Sequence, residues 1–259
     1  MVRGWVWLKG MKQDARHWRG LPAQFAARTG ARVVALDPPG VGSQADRPAP
    51  RSVRAMTDDL RARWLAERGD DGPWGMVGLS LGGMVTLDWA ARYPDDFAVV
   101  VLGNTSAGGV SPPWHRMRPR ALAHLVRSSR GGDGVVRERA FLEVVSSRDD
   151  IAHAHHASIE HAAWQAEIPA TPRTMVSQLL AGATFRAPPS VRAPVHVIVG
   201  EADRLVDPRC GRTLAARLGA ELHSIPGAGH DLSLDVPDAL LDVLTDVDRK
   251  FVTARSPGL

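Results

Sequence analysis

Short, continuous apolar runs alternate along this chain with longer stretches in which apolar residues recur every three or four positions. The runs are Trp5-Val6-Trp7-Leu8, Val33-Val34-Ala35-Leu36, Gly75-Met76-Val77, Val99-Val100-Val101-Leu102 and Val195-His196-Val197-Ile198-Val199. Each is closed by glycine, proline or polar residues, the pattern of strands buried on both faces. The helical periods predict a helix with Trp18, Leu21 and Phe25 on one face, one over 52–68, and one through Val85, Leu87, Trp89 and Ala90. Further on come a helix over 208–218, a short strand over 221–225 and a last helix with Leu240, Leu241, Leu244 and Val247 turned inward. Strands separated by helices build a mostly parallel sheet through right-handed crossovers, so the expected class is α/β with helices on both faces.

The alternation stops after Asn104. From 107 to 187 the sequence holds helical stretches broken by glycine and proline, without a strand pattern. The expected organisation is therefore a core over 1–106, a helical cap or lid inserted over 107–187, and the rest of the core over 188–259.

Composition narrows the class. The apolar share is 44% and the charged share 23%, ordinary for a water-soluble globular protein. A formal charge of +4 comes almost wholly from arginine spread along the chain. No basic run interleaved with aromatics occurs, so a nucleic-acid partner is not expected. Cys210 is the only cysteine, which excludes an intrachain disulfide and favours a reducing compartment. With no apolar run long enough for a membrane span or a signal segment, the expected location is cytoplasmic, without a membrane partner. The pattern carries no signal for oligomeric state.

Candidate chemistry centres on Gly78-Leu79-Ser80-Leu81-Gly82-Gly83, between a strand and a helix. A serine there sits on a tight turn, a nucleophile elbow, with glycines two residues to either side where side chains would collide. The amide of Leu81, in the first turn of the following helix, is positioned to donate to an oxyanion. The glycines in Asp37-Pro38-Pro39-Gly40-Val41-Gly42-Ser43 are not followed by Gly-x-Gly-x-x-Gly or Gly-Lys-Ser/Thr, so a phosphate loop is rejected.

Taken with Lys9-Gly10-Met11, Gly200-Glu201-Ala202-Asp203 and Gly227-Ala228-Gly229-His230, these motifs make the chain resemble the α/β-hydrolase superfamily, in particular its compact esterase-like members with a helical lid. The likeness covers both core segments and departs in two places. Lys9 stands where relatives commonly have histidine, and there is no room for two antiparallel strands before the first parallel one. A smaller sheet with a more exposed edge is expected, and Lys9 is expected to point to solvent.

The resemblance implies a serine, acid, histidine order along the chain. His230 follows the last expected strand and is the expected base; His196 and His223 lie inside strands and are read as packing or edge residues. Asp203 is the expected acid, over Glu201, which is too near the strand end, and Asp207, which adjoins Pro208 as a helix cap would. The Met11 amide is the expected partner of the Leu81 amide. The substrate pocket is expected at Gly10, Trp114, Met117, Trp164, Met175 and Leu179. His153-Ala154-His155-His156 with His161 lacks a carboxylate at a known ligand spacing, so neither metal nor organic cofactor is expected. Because His115 and His124 also fall in the cap, a response of the lid near pH 6–7 is expected.

The implied function is a serine hydrolase that cleaves small carboxylic esters through an acyl-enzyme, its partner a small ester-like substrate. Thioester, lactone or carbon–carbon bond hydrolysis and acyl transfer stay open on the same residues. So does a receptor-like protein with little turnover.

Overall fold

In the computed structural model, residues 4–69, 72–128, 133–148 and 150–255 are described, with 128, 151–155 and 252–255 described by backbone alone. The first core segment runs β1 (Gly4–Leu8), α1 (Leu21–Thr29), β2 (Arg32–Ala35), α2 (Val53–Glu67), β3 (Trp74–Leu79), α3 (Leu81–Arg92) and β4 (Val99–Gly103). The helices α4 (Pro113–Arg116), α5 (Pro119–Ser128), α6 (Gly134–Val145), α7 (Ile151–Glu167) and α8 (Pro172–Thr184) follow. Then come β5 (Val195–Gly200), α9 (Arg209–Leu218), β6 (Glu221–Ile225), α10 (Leu232–Asp235) and α11 (Pro237–Arg255).

The strands form one parallel six-stranded sheet in the order β2-β1-β3-β4-β5-β6. Side chains alternate between its faces. Val6, Leu8, Met76, Val100, Leu102, Val197 and Val199 pack with Met56, Leu60 and Trp64 of α2, Leu87 and Trp89 of α3 and Leu214 of α9. Trp5, Trp7, Val77, Leu79, Val101 and Ile198 face the other way, onto Phe25 of α1 and Leu240, Leu241, Leu244 and Val247 of α11. The chain thus leaves β1 for one face and β3 for the other. Between those neighbouring strands the connections diverge and open a crevice at the carboxyl ends, the usual place for a ligand in an open α/β sheet.

The expected first helix is two pieces. A 3₁₀ turn over Ala15–Trp18 is capped by the Asp14 carboxylate, which accepts from the Arg16 amide, and left-handed Arg19 (φ 50°) and Gly20 (φ 78°) separate it from α1. Trp18 still reaches the same core as Leu21 and Phe25, its ring edge-on to Trp7 at 4.7 Å, so the shared apolar face was real although the helix was not continuous. The expected exposed edge is β2, which pairs with β1 alone and is exposed at Arg32.

Where the helical excursion leaves and rejoins the core, the two ends meet. The Gly108 amide donates to the Phe185 carbonyl (2.9 Å) and the Ala187 amide to the Gly108 carbonyl (3.1 Å). Phe141, Leu142, Val144 and Val145 of α6 then pack on Leu205, Val206, Cys210 and Leu234 of the core. No described helix is long and apolar enough to cross a membrane.

Candidate active site

Ser80 lies at the β3–α3 turn with φ 55° and ψ −116°, a conformation that costs a non-glycine residue about 1–3 kcal/mol. The turn is held at both ends: the Ser80 amide donates to the Gly103 carbonyl (2.8 Å) and the Ser80 carbonyl accepts from Thr105 Oγ1 (2.7 Å). A Cβ on Gly78 would strike the Gly82 carbonyl, and one on Gly82 would lie 2.6 Å from the carbonyl oxygens of Leu8 and Lys9. Only glycine lets strand, elbow and helix pass this closely.

Asp203 and His230 come from the loops after β5 and β6, neighbouring strands whose pairing brings the loops side by side. His230 Nδ1 donates to Asp203 Oδ2 at 2.7 Å, and both residues are buried. The other carboxylate oxygen accepts from the amides of Leu205 (2.8 Å) and Val206 (2.9 Å). Burial opposes a charged imidazole, yet the Asp203 charge and hydrogen bond, helped by Asp231, outweigh it and raise the His230 pKa above its ordinary 6.5. Nε2, on the far side of the ring from Asp203, is left to serve the cavity that His230 and Ser80 both line. Ser80 Oγ donates to no protein acceptor among the described residues and faces the same cavity.

The rival acids are engaged elsewhere. Asp207 accepts from the Arg209 amide (3.0 Å) at the start of α9 and pairs with the guanidinium groups of Arg209 (2.7 Å) and Arg118 (3.3 Å). Glu201 pairs with Arg212.

Met11 and Leu81 line the same cavity, and among the described residues neither amide is hydrogen-bonded to a protein acceptor. The turn that carries Met11 is built differently from the sequence expectation. Lys9 is buried: its Nζ donates to Asp231 Oδ1 (2.9 Å) and Ser233 Oγ (2.7 Å), and Gln13 Nε2 donates to Asp231 Oδ2 (2.8 Å). A lysine stem follows the apolar wall and its ammonium finds the carboxylate next to His230. Burial would raise the Asp231 pKa, but Lys9, with the Ser233 and Gln13 hydrogen bonds, holds it below the usual carboxylate range.

Other residues that sequence reasoning missed hold these loops together. Asn104, left-handed at φ 43° after β4, donates from Nδ2 to the carbonyls of Gly229 (2.8 Å) and His230 (2.9 Å) and accepts from the Gly200 amide (2.7 Å). Asp235 accepts from the Gly229 amide (2.8 Å) and from Ser146 Oγ (2.5 Å) and the Ser147 amide (2.8 Å) beyond α6. On α8, buried Gln178 accepts from the amide of Lys12, the residue after Met11, at 2.8 Å. An asparagine straight after an apolar strand was a legible hint of a left-handed turn. The partners on α6 and α8 had no local signal.

The cavity holds about 700 Å³, within the range of small-ligand sites. Of the residues named from the sequence, Gly10, Trp114, Met117 and Leu179 line it, with Trp114 exposed at the rim, and Phe141 and Val176 lie beside them. Trp164 and Met175 do not. Trp164 stacks on His161 (5.3 Å between ring centres) and meets His17 edge-on (4.9 Å), which turns it onto the Asp14–Arg19 segment. Along α8 the lining residues are Val176, Gln178, Leu179, Leu180, Gly182 and Ala183, and Met175, one turn before Leu179, is not among them.

The histidines between α4 and α8 differ in burial. His161 is buried, and burial, with the nearby charge of His17, pulls its pKa down to about 2. It stays neutral through pH 6–7 and supplies no switch there. The side chains of His153 and His155 lie outside those described, and His156 is exposed.

With this geometry in place, the chain belongs to the alpha/beta hydrolase family, whose model it matches over residues 4–243. It is similar to the pimeloyl-[acyl-carrier protein] methyl ester esterase of Aromatoleum aromaticum, with 30% identity covering 94% of this chain and 97% of that one. It is also similar to the monoacylglycerol lipase of Mycolicibacterium smegmatis, with 26% identity covering 94% and 86%. Among solved structures, the 2-hydroxy-6-oxo-6-phenylhexa-2,4-dienoate hydrolase of Rhodococcus sp. strain RHA1 shares the fold, with a TM-score of 0.76 at 22% identity over 96% of this chain and 91% of that one. The chain is thus an alpha/beta hydrolase with esterase-type relatives.

Proposed function

We propose that the protein hydrolyses esters of a small alcohol with an aliphatic acid, through an acyl-enzyme on Ser80. The observation that carries this is the buried 2.7 Å contact between His230 and Asp203, with His230 and the strained Ser80 both lining one largely apolar cavity. The two curated relatives, named for a methyl ester and a monoacylglycerol, point to the same bond.

In this reading Ser80 Oγ attacks the ester carbonyl while His230 Nε2 takes its proton. The Met11 and Leu81 amides receive the developing oxyanion, where they need no reorganisation. Asp203 holds the imidazole in the tautomer that accepts at Nε2 and stabilises its charged form. When the tetrahedral centre collapses, His230 returns the proton to the departing alkoxide. Water then repeats the sequence on the acyl-enzyme, releasing the acid and restoring Ser80. The acyl chain lies against Met117, Phe141, Val176 and Leu179.

A p-nitrophenyl ester series from acetate to dodecanoate tests this. Multiple turnover with a chain-length optimum, lost in Ser80→Ala, is expected; a single stoichiometric burst, or turnover that survives Ser80→Ala, would sink the reading.

A further inference from the structure

β5 and β6 bear Asp203 and His230 beyond their carboxyl ends, and a second group of ionisable side chains at their starts. His196 is the second residue of β5; Glu221 and His223 are two apart on β6 and so share a face of the sheet. Register places His196 opposite Glu221 and Ile198 opposite His223. His196 Nδ1 lies 3.1 Å from His223 Nε2 and 3.6 Å from Glu221 Oε2, and His223 Nε2 lies 3.7 Å from Glu221 Oε1. Two ligands held at about 2.0–2.1 Å by a tetrahedral ion are roughly 3.3–3.4 Å apart; the two nitrogens lie near that spacing, and one ligand atom from each of the three residues lies within 4.8 Å of the others.

We propose that His196, Glu221 and His223 form a binding site for a single divalent cation of the zinc class. Two imidazole nitrogens and a carboxylate suit zinc, cobalt or nickel, whereas magnesium and calcium prefer oxygen alone. His196 is buried, His223 half-buried and Glu221 exposed, which sets the nitrogens inside and the carboxylate at the mouth. Burial lowers both imidazole pKa values, with Glu221 opposing and Lys250 assisting, so both rings are neutral near pH 7 and have lone pairs to give.

The rings face one another as hydrogen-bond partners and need a small rotation about Cβ–Cγ to share an ion. Lys250 Nζ, on α11, bridges Glu221 Oε1 (2.8 Å) and Asp246 Oδ2 (3.2 Å). An ammonium therefore already occupies the place between two carboxylates that a divalent ion would neutralise. Lys250 is more than half exposed, so its ammonium can swing out and leave Glu221 to the ion.

The site is separated from the reacting atoms by the length of the strands, about 17 Å for five residues. Its ion would not enter the chemistry. It would clip the edge strand β6 to β5, reinforcing the two strands that support acid and base.

The test uses untagged, chelator-stripped full-length protein, titrated with Zn²⁺ by calorimetry and with Co²⁺ by visible absorption. One equivalent is expected to bind at about micromolar free metal, and a hundredfold excess over Kd to raise the unfolding midpoint by about 5 °C. Glu221→Gln and His223→Gln should each weaken binding at least about tenfold, by loss of one ligand, with ester turnover unchanged. Lys250→Ala should tighten it by removing the competing ammonium. No saturable binding, an affinity unchanged in both ligand variants, or binding lost only when His153, His155 and His156 are replaced would each overturn the proposal. Because Glu221 is exposed, its variant remains informative even if His223→Gln folds poorly.

Discussion

The carboxyl edge of the sheet and the interface with the helical excursion build the same cavity by different means. At the sheet edge the groups are placed by backbone: the left-handed elbow at Ser80, the amides that receive Asp203, and the strand pairing that sets Asp203 beside His230. At the interface they are placed by buried side chains from remote segments. Lys12 Nζ reaches Glu138 of α6 (2.5 Å), Gln178 of α8 holds the Lys12 amide, and His17 packs edge-on against His161 of α7 (4.7 Å between ring centres). The first kind of placement follows from turn chemistry; the second exists only once the chain has folded.

The comparison is broken most severely at the elbow. Ser80→Ala is expected to lower kcat by about 10⁴-fold or more with the unfolding midpoint unchanged, measured on one p-nitrophenyl ester with a parallel melt. Asp203→Asn should cost about 10³–10⁴-fold, and Asp207→Asn, whose aspartate accepts from the Arg209 amide and pairs with arginines, no more than a few-fold; the opposite ranking would reassign the acid. Because Asp203 raises the His230 pKa and the base must be neutral, kcat/KM should rise with pH through a midpoint above 6.5, which Asp203→Asn shifts downward.

Lys9→Met leaves Asp231 charged and unpaired in the interior, and should destabilise the fold by about 3–5 kcal/mol in urea titration. Adding Asp231→Asn should recover part of that loss, whereas additive losses would mean that the pair does not couple. Gln178→Leu releases the Lys12 amide and is expected to lower kcat about tenfold with little change in KM, less than the ~10²–10³ typical of a lost oxyanion donor. An unchanged kcat would show that the excursion only covers the cavity.

The smallest effect concerns acid stability. His161 is neutral in the folded protein, its pKa pulled to about 2, but ionises near 6.5 when unfolded. Between those values the unfolded state binds the extra proton, so stability falls as pH drops below 6.5, by up to about 1.4 kcal/mol per unit from this group. His161→Phe should flatten that slope in melts from pH 7 to 5; an equally steep slope would place the proton elsewhere.

What was legible in the sequence divides along the same line. Apolar runs fixed the strands to within a residue or so, because a strand buried on both faces has little choice of composition. Glycines at 78 and 82 marked the elbow for a steric reason that is local. Lys9 was misread because a lysine beside a glycine turn looks solvated until Asp231, more than two hundred residues later, is brought beneath it. Trp164 was misplaced for a related reason: helical periodicity gives a face but not the neighbour that claims it, here His17 and His161. Asn104 joins three loops through one amide, and nothing in its own surroundings announces that.

The most direct test of the account is the intact mass of enzyme quenched in acid during turnover of p-nitrophenyl butyrate, with peptide mapping of any adduct. One butyryl group is expected, confined to the peptide that contains Ser80, absent in Ser80→Ala and accumulating in a deacylation-slowed Asp203→Asn. Sustained turnover with no adduct on that peptide, undiminished in Ser80→Ala, would contradict it.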